Sequence, residues 1–154
     1  MNKLGLVSIE SSLLEQQIVD EILACNLETE KYGLTLNQYQ AVLLIQTRSR
    51  VLKESQRIEL NGEIIVLLIE AFCDSPYVSQ ENYEDTLHEL IELFYDLKNS
   101  TWDLVSDKDL IAFMKDSFNG CCYGSFELLY GEALRLSEHI HGGKSIQTFR
   151  SGED

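Results

Sequence analysis

The chain reads as an all-α fold, a compact single-domain array of about six mostly antiparallel helices. Three features predict it. Capping signals recur ahead of apolar runs, apolar residues within those runs are spaced three and four apart, and the connections are short enough to leave consecutive helices as neighbours.

Ser12-Leu13-Leu14-Glu15 fits a capping box, a hydroxyl accepting from a first-turn amide while the glutamate reaches back. Leu14, Ile18, Ile22 and Cys25 then share one stripe, which predicts a first helix over about 13–25. Thr35-Leu36-Asn37-Gln38 is a second box, with Leu34 and Tyr39 placed as a hydrophobic staple. The run Val42-Leu43-Leu44-Ile45 is apolar on every side and predicts a central position for that helix. Its distal half carries Arg48, Arg50, Lys53 and Arg57, a basic island in an acidic chain.

Asn61-Gly62 marks a turn that could fold residues 57–66 into one short β-hairpin. A helix over about 63–73 is the preferred reading, because Ile64, Ile65, Leu68, Ile69 and Phe72 trace one face. The β-branched Ile64, Ile65 and Val66 keep the hairpin open as an alternative. Pro76 biases Ser75 away from helical geometry, so a tight connection precedes a fourth helix capped by Ser79. On that helix Tyr83, Leu87, Leu90, Phe94 and Leu97 alternate at steps of four and three, with the acids turned elsewhere.

Ser106-Asp107-Lys108-Asp109 resembles another capping box, stapled by Val105 and Leu110, and Leu110, Ile111, Met114 and Phe118 form the face behind it. Asn119-Gly120 ends that helix with residues that tolerate left-handed geometry. Ser125 caps a last helix bearing Phe126, Leu129, Tyr130, Ala133, Leu136 and Ile140, which stops at Gly142-Gly143. A single helical domain over 1–141 and a flexible polar tail over 142–154 follow.

Composition sets the class. With 154 residues, 44% of them hydrophobic, the chain is long enough to hide about 68–70% of its unfolded surface without a covalent staple. A single proline among nine glycines leaves little material for linkers. Twelve basic against 26 acidic side chains give a net charge of −14, which repels phosphate backbones and anionic headgroups, so neither nucleic acid nor membrane is an expected partner. The stretch Met1 to Val7 has no long apolar run or cleavage pattern, and no segment nears 18 consecutive apolar residues. The chain therefore reads as cytoplasmic, with Cys25, Cys73, Cys121 and Cys122 as reduced thiols.

Several groups bear on chemistry. Asp85 to His88 and Glu138 to His141 match carboxylate-x-x-histidine, the spacing that builds di-iron centres in helical bundles. Both pairs fall on predicted solvated faces or fraying ends, and His139-Ile140-His141 reads as a polar helix terminus, so no metal and no cofactor is expected. Cys121-Cys122 precedes a helix whose positive end would favour a thiolate, yet the spacing is neither a zinc knuckle nor a redox pair. Cys73 lies near a helix C-terminus, where the dipole disfavours negative charge. No phosphate-cradling glycine motif and no nucleophile triad is legible, which favours a noncatalytic role.

Ala71-Phe72-Cys73-Asp74-Ser75-Pro76-Tyr77, then Asn82-Tyr83, then Phe94-Tyr95-Asp96-Leu97-Lys98 resemble the central signature of a family of small bacterial proteins of unknown function, over roughly residues 34–118. The resemblance implies a helical unit and supplies no activity. Read by its own chemistry, the segment is a tight interhelical corner, and its sharper reading is a binding corner where Cys73, Asp74, Tyr77, Asn82 and Tyr83 place polar tips together.

Charge is divided along the chain: residues 79–116 hold ten acids against three lysines, and residues 31–60 hold five bases against two acids. The leading expectation is an acidic interaction or accessory protein whose partner is another protein. The plain alternative is that Arg50, Lys53 and Arg57 answer the acidic helix within the fold. A small-molecule-binding protein or enzyme using the Cys73 to Tyr83 corner is the second functional reading, and an acidic mimic of nucleic acid the third. The oligomeric state is left open.

Overall fold

Capping residues and apolar spacing decide where the chain turns helical. A computed structural model describes the backbone of residues 3–152 and the side chains of residues 13–152. In chain order these residues form α1 (Lys3–Ala24), α2 (Asn26–Thr29), a 3-10 turn (Glu30–Tyr32), α3 (Gln38–Glu54), α4 (Glu63–Phe72), α5 (Tyr83–Ser100), α6 (Asp107–Asn119), α7 (Phe126–His141) and α8 (Ile146–Ser151). The six predicted helices correspond to α1 and to α3 through α7. No strand occurs among the described residues; in place of a hairpin, Ile64 and Ile65 join Leu68, Ile69 and Phe72 on one buried helical face, and Val66 lies off it, half-buried. None of the described helices is long and apolar enough to cross a membrane.

Several boundaries differ from the sequence reading. Helix α1 begins at Lys3, so residue 12 falls inside it and not at its N-cap; the Ser12 side chain lies outside the described residues. Helix α3 is capped by Asn37, whose Oδ1 accepts from Gln40 N at 2.8 Å while Gln40 Oε1 accepts from Asn37 N at 2.9 Å. Thr35 cannot serve as the cap because its backbone pairs with the Gln80 side chain, N to Oε1 at 2.8 Å and O to Nε2 at 3.0 Å. The staple positions are accordingly Leu36 and Ala41, both buried, and Tyr39 is exposed. Ser106 and Ser125 do cap α6 and α7, accepting from Asp109 N at 3.1 Å and Leu128 N at 3.3 Å. Past Gly143, where a flexible tail is expected, Ser145 caps the short α8; its Ile146 is buried and Phe149 packs on the core.

Helix α5 is the centre of the arrangement. It packs against α3, α4, α6 and α7, while α1 lies on α3 and α4. The predicted stripe of Tyr83, Leu87, Leu90, Phe94 and Leu97 is buried, and so are Thr86, Ile91, Leu93 and Tyr95. Only glycine fits at position 62, because a Cβ there would stand 2.4 Å from Ile18 Cγ2. That close approach seats the end of α1 against the start of α4.

The basic island divides on folding. Arg48 is 4% exposed, its Nη2 donating to the carbonyl of Glu59 at 2.6 Å and also to that of Asn61. Tyr95 on α5 donates to Glu59 Oε2 at 2.5 Å, so one buried cation and one phenol hold the connection between α3 and α4. Arg50 pairs with Glu92 of α5 and Arg57 with Asp103 just beyond its end, which meets the plainer reading of the charge division in part, since no ion pair engages Lys53 among the described residues.

Truncation of Arg48 leaves two carbonyls without their donor and opens a void, so Arg48→Ala is expected to cost about 3 kcal/mol. Asn37→Ala removes one cap and should cost about 1 kcal/mol. Urea unfolding of both variants beside the parent checks the magnitudes and their order.

Candidate functional site

A concavity lies between the end of α1, α2 and α4, and its walls are set by side chains that grip the backbone. Asn26 clamps Leu36, Nδ2 donating to Leu36 O and Oδ1 accepting from Leu36 N, each at 2.9 Å. Thr29 Oγ1 donates to Leu34 O at 2.8 Å. These bonds fix α2 and the 3-10 turn against the start of α3. Opposite them stand Val66 and Leu67 of α4 and Cys73 just past its end, all half-buried, with Leu67 and Cys73 packed at the edge of the core.

The cleft between these walls measures about 920 Å³. Its floor is apolar, from Ala24, Val66, Leu67 and Ile69, and Glu21, Glu28, Glu63 and Glu70 stand around it. Among the described residues Glu28 pairs with Lys31 at 2.7 Å, and no ion pair engages Glu21, Glu63 or Glu70. Cys25 and Cys73 share the lining. Burial, then the charges of Glu70, Cys73 and Glu21, pushes the Cys25 thiol up to about 11. Burial and then Asp74 push Cys73 up as well, with Lys115 opposing weakly. Both thiols therefore keep their protons near neutral pH, and neither is primed as a nucleophile.

The five residues of the predicted corner separate onto two sides of the turn. Cys73 belongs to the cleft, and Tyr83 lies buried, its ionisation pushed up by that burial. Asp74 faces α6 and pairs with Lys115 at 3.2 Å. The Tyr77 ring packs edge-on to Phe118 at 6.1 Å and covers Gly124, where φ is +75° and a Cβ would meet the ring at 2.4 Å. Asn82 closes the turn, accepting from Ser79 N at 2.9 Å and donating to Tyr77 O at 3.1 Å. Ser79 is thus held by the cap position and is not itself the cap.

The carboxylate-histidine pairs dissolve in the fold. His88, expected on a solvated face, is half-buried between α3 and α5, with Thr47 Oγ1 at 2.7 Å from Nδ1 and Glu84 Oε2 at 2.8 Å from Nε2; Asp85 points to solvent. His141 donates from Nε2 to Ser100 O at 2.6 Å, and His139 Nε2 lies 2.7 Å from Thr148 Oγ1. No metal-holding group of three or more such side chains occurs among the described residues. Cys122 is buried, which together with its neighbour Cys121 pushes its thiol up to about 12, so burial outweighs the pull of the following helix.

A sequence profile of a family of unknown function, DUF6323, matches residues 21–145. The chain belongs to DUF6323. The match contains every residue of the cleft, from Glu21 to Cys73, together with the Cys73 to Tyr83 turn, and it ends before α8. No curated protein and no solved structure matches the chain. DUF6323 is a family of unknown function, so membership assigns no chemistry to the cleft.

Sequence reasoning missed Glu21, Glu28, Glu63, Glu70 and Cys25 as a group. Their spacing carries no motif, since α1 and α2 supply one wall and α4, distant in the chain, supplies the other. A direct check is alkylation of Cys25. Its rate should climb about tenfold per pH unit from 8 to 10 and level off only near 11, whereas unfolded protein levels near 9.0. Because the folded thiol holds its proton longer than the unfolded one, its share of stability is intact below pH 9 and is lost as pH rises towards 11. Peptide mass spectrometry after timed iodoacetamide pulses reads the rate, and a plateau near 9 in the folded protein would refute it.

Proposed function

We propose that this DUF6323 chain is a noncatalytic interaction protein whose α1–α2–α4 cleft receives a basic, amphipathic helical segment of another protein. One observation carries the reading: an apolar floor is bordered by four glutamates, three of them without an ion pair among the described residues. Lysine or arginine on such a segment would meet the glutamates while its apolar face covers Val66, Leu67 and Ala24, the helix-in-groove mode of recognition. Charge at the border would set the rate and the choice of partner, and the floor would supply most of the affinity.

Protonated thiols and histidines bonded elsewhere argue against a reaction in the cleft. On α5, Glu84, Glu89 and Glu92 are each tied to a neighbouring side chain, to His88, Tyr130 and Arg50, which favours the cleft over an acidic surface that imitates phosphates. The cleft volume of about 920 Å³ lies within the range of small-molecule sites, and an organic cation with an apolar body is the second reading.

The test uses a designed leucine-lysine helical peptide as probe, with a scrambled peptide of equal charge as control, titrated into the labelled chain and followed by amide shifts. Shifts confined to the end of α1, to α2 and to α4, larger for the helical probe, support the proposal. Glu21→Lys with Glu70→Lys should weaken binding about tenfold or more, equivalent to about 1.4 kcal/mol. Equal response to the scrambled peptide, or shifts elsewhere, would remove the helical partner. Saturable shifts in the cleft with an alkylammonium probe alone would favour the second reading.

A further inference from the structure

Four large apolar side chains stand in solvent on two adjoining loops. Ile58 and Leu60, between α3 and α4, are 89% and 70% exposed, and Trp102 and Leu104, between α5 and α6, are 59% and 69% exposed. Arg57 joins the loops: its Nε donates to Asn99 Oδ1 at 2.6 Å and its Nη2 to Asp103. Ile58 follows one end of that link in sequence, and Trp102 and Leu104 flank the other.

The loops are held in place. Gln56, Trp102 and Asp103 all have φ of 58°, a left-handed conformation that residues other than glycine seldom adopt. The Trp102 ring stacks on His141 with centroids 4.0 Å apart and 8° between planes. Lys98 donates to Val105 O at 2.7 Å and pairs with Asp107 at 2.7 Å. Backbone kept in an uncommon region so that apolar groups face water is the pattern of a contact surface.

We propose that this end of the bundle docks a second copy of the chain. Charge selects that occupant. A molecule of net charge −14 repels its own copy over most of its surface. Here Arg57 is balanced by Asp103 and Lys98 by Asp107, while exposed Lys53 adjoins Glu59 in one shallow depression with Arg57 and Ile58. This face is locally neutral and carries both signs, so two copies meet on it with least repulsion and can cross-pair. Basic partners would be drawn instead to the acidic surface. Four side chains per copy make a small interface, at or below about 1,200 Å² in total, the size of a weak, reversible dimer.

The sole tryptophan of the chain, Trp102, lies in the patch and reports on it. Sedimentation velocity and tryptophan emission, followed from about 1 µM to about 1 mM, should show monomer passing to dimer with a blue shift over the same range. Added salt should tighten the dimer, because it screens the overall repulsion. The double substitution Ile58→Glu with Leu104→Glu should give monomer throughout with unchanged circular dichroism. Leu27→Glu, at a position 78% exposed on α2, should dimerise as the parent does. A parent that stays monomeric, a dimer that survives the double substitution, or one lost equally on Leu27→Glu overturns the proposal.

Discussion

Burial of α5 on nearly every side is the constraint to which the rest of the structure answers. A helix packed against α3, α4, α6 and α7 leaves a narrow strip, at Asp85 and Asp96, open to solvent, so the polar side chains beside its contacts need partners on the neighbours. His88 finds Thr47, Tyr95 finds Glu59, Asn99 accepts from Arg57, Ser100 meets Ser137 at 2.7 Å, and the carbonyl of Ser100 accepts from His141. These links reach α3, the α3–α4 connection and α7 in turn. Polar groups drawn from all these elements thereby fix how they sit around one hydrophobic axis.

Periodicity made this axis legible. The alternating steps from Tyr83 to Leu97 specify a buried stripe, and the stripe is buried. What periodicity did not disclose is the width of the burial. Thr86, Tyr95 and His88 fall outside the stripe, yet Thr86 and Tyr95 are buried and His88 is half-buried against Thr47 of α3. A single sequence records the faces a helix prefers to hide and carries no mark of how many neighbours arrive.

The boundaries show the same limit on a smaller scale. Thr35 and Asn37 both begin capping patterns, with Gln38 and Gln40 in the third helical place. The choice falls to Asn37 because Gln80, 45 residues away, takes both backbone groups of Thr35. Likewise the start of α1 lies ten residues ahead of residue 13, since a good capping pattern at Ser12 does not stop a helix already under way. Local chemistry supplies candidates for each boundary, and tertiary contacts select among them.

The same pairing that seats α5 also shapes the charge left on the surface. Arg48, Arg50, Arg57 and Lys98 are consumed in binding α5 and the loops at its end, by backbone carbonyls or by carboxylates. With 12 basic against 26 acidic side chains, many acids must go without a cation, and the α1–α2–α4 cleft is one place where the deficit shows: Glu21, Glu63 and Glu70 face an apolar floor with no cation paired to them among the described residues. The acidic cleft and the neutral loop face are thus two consequences of one allocation. Cations gathered around α5 neutralise the end of the bundle where they lie, and the acids of the far wall keep their field.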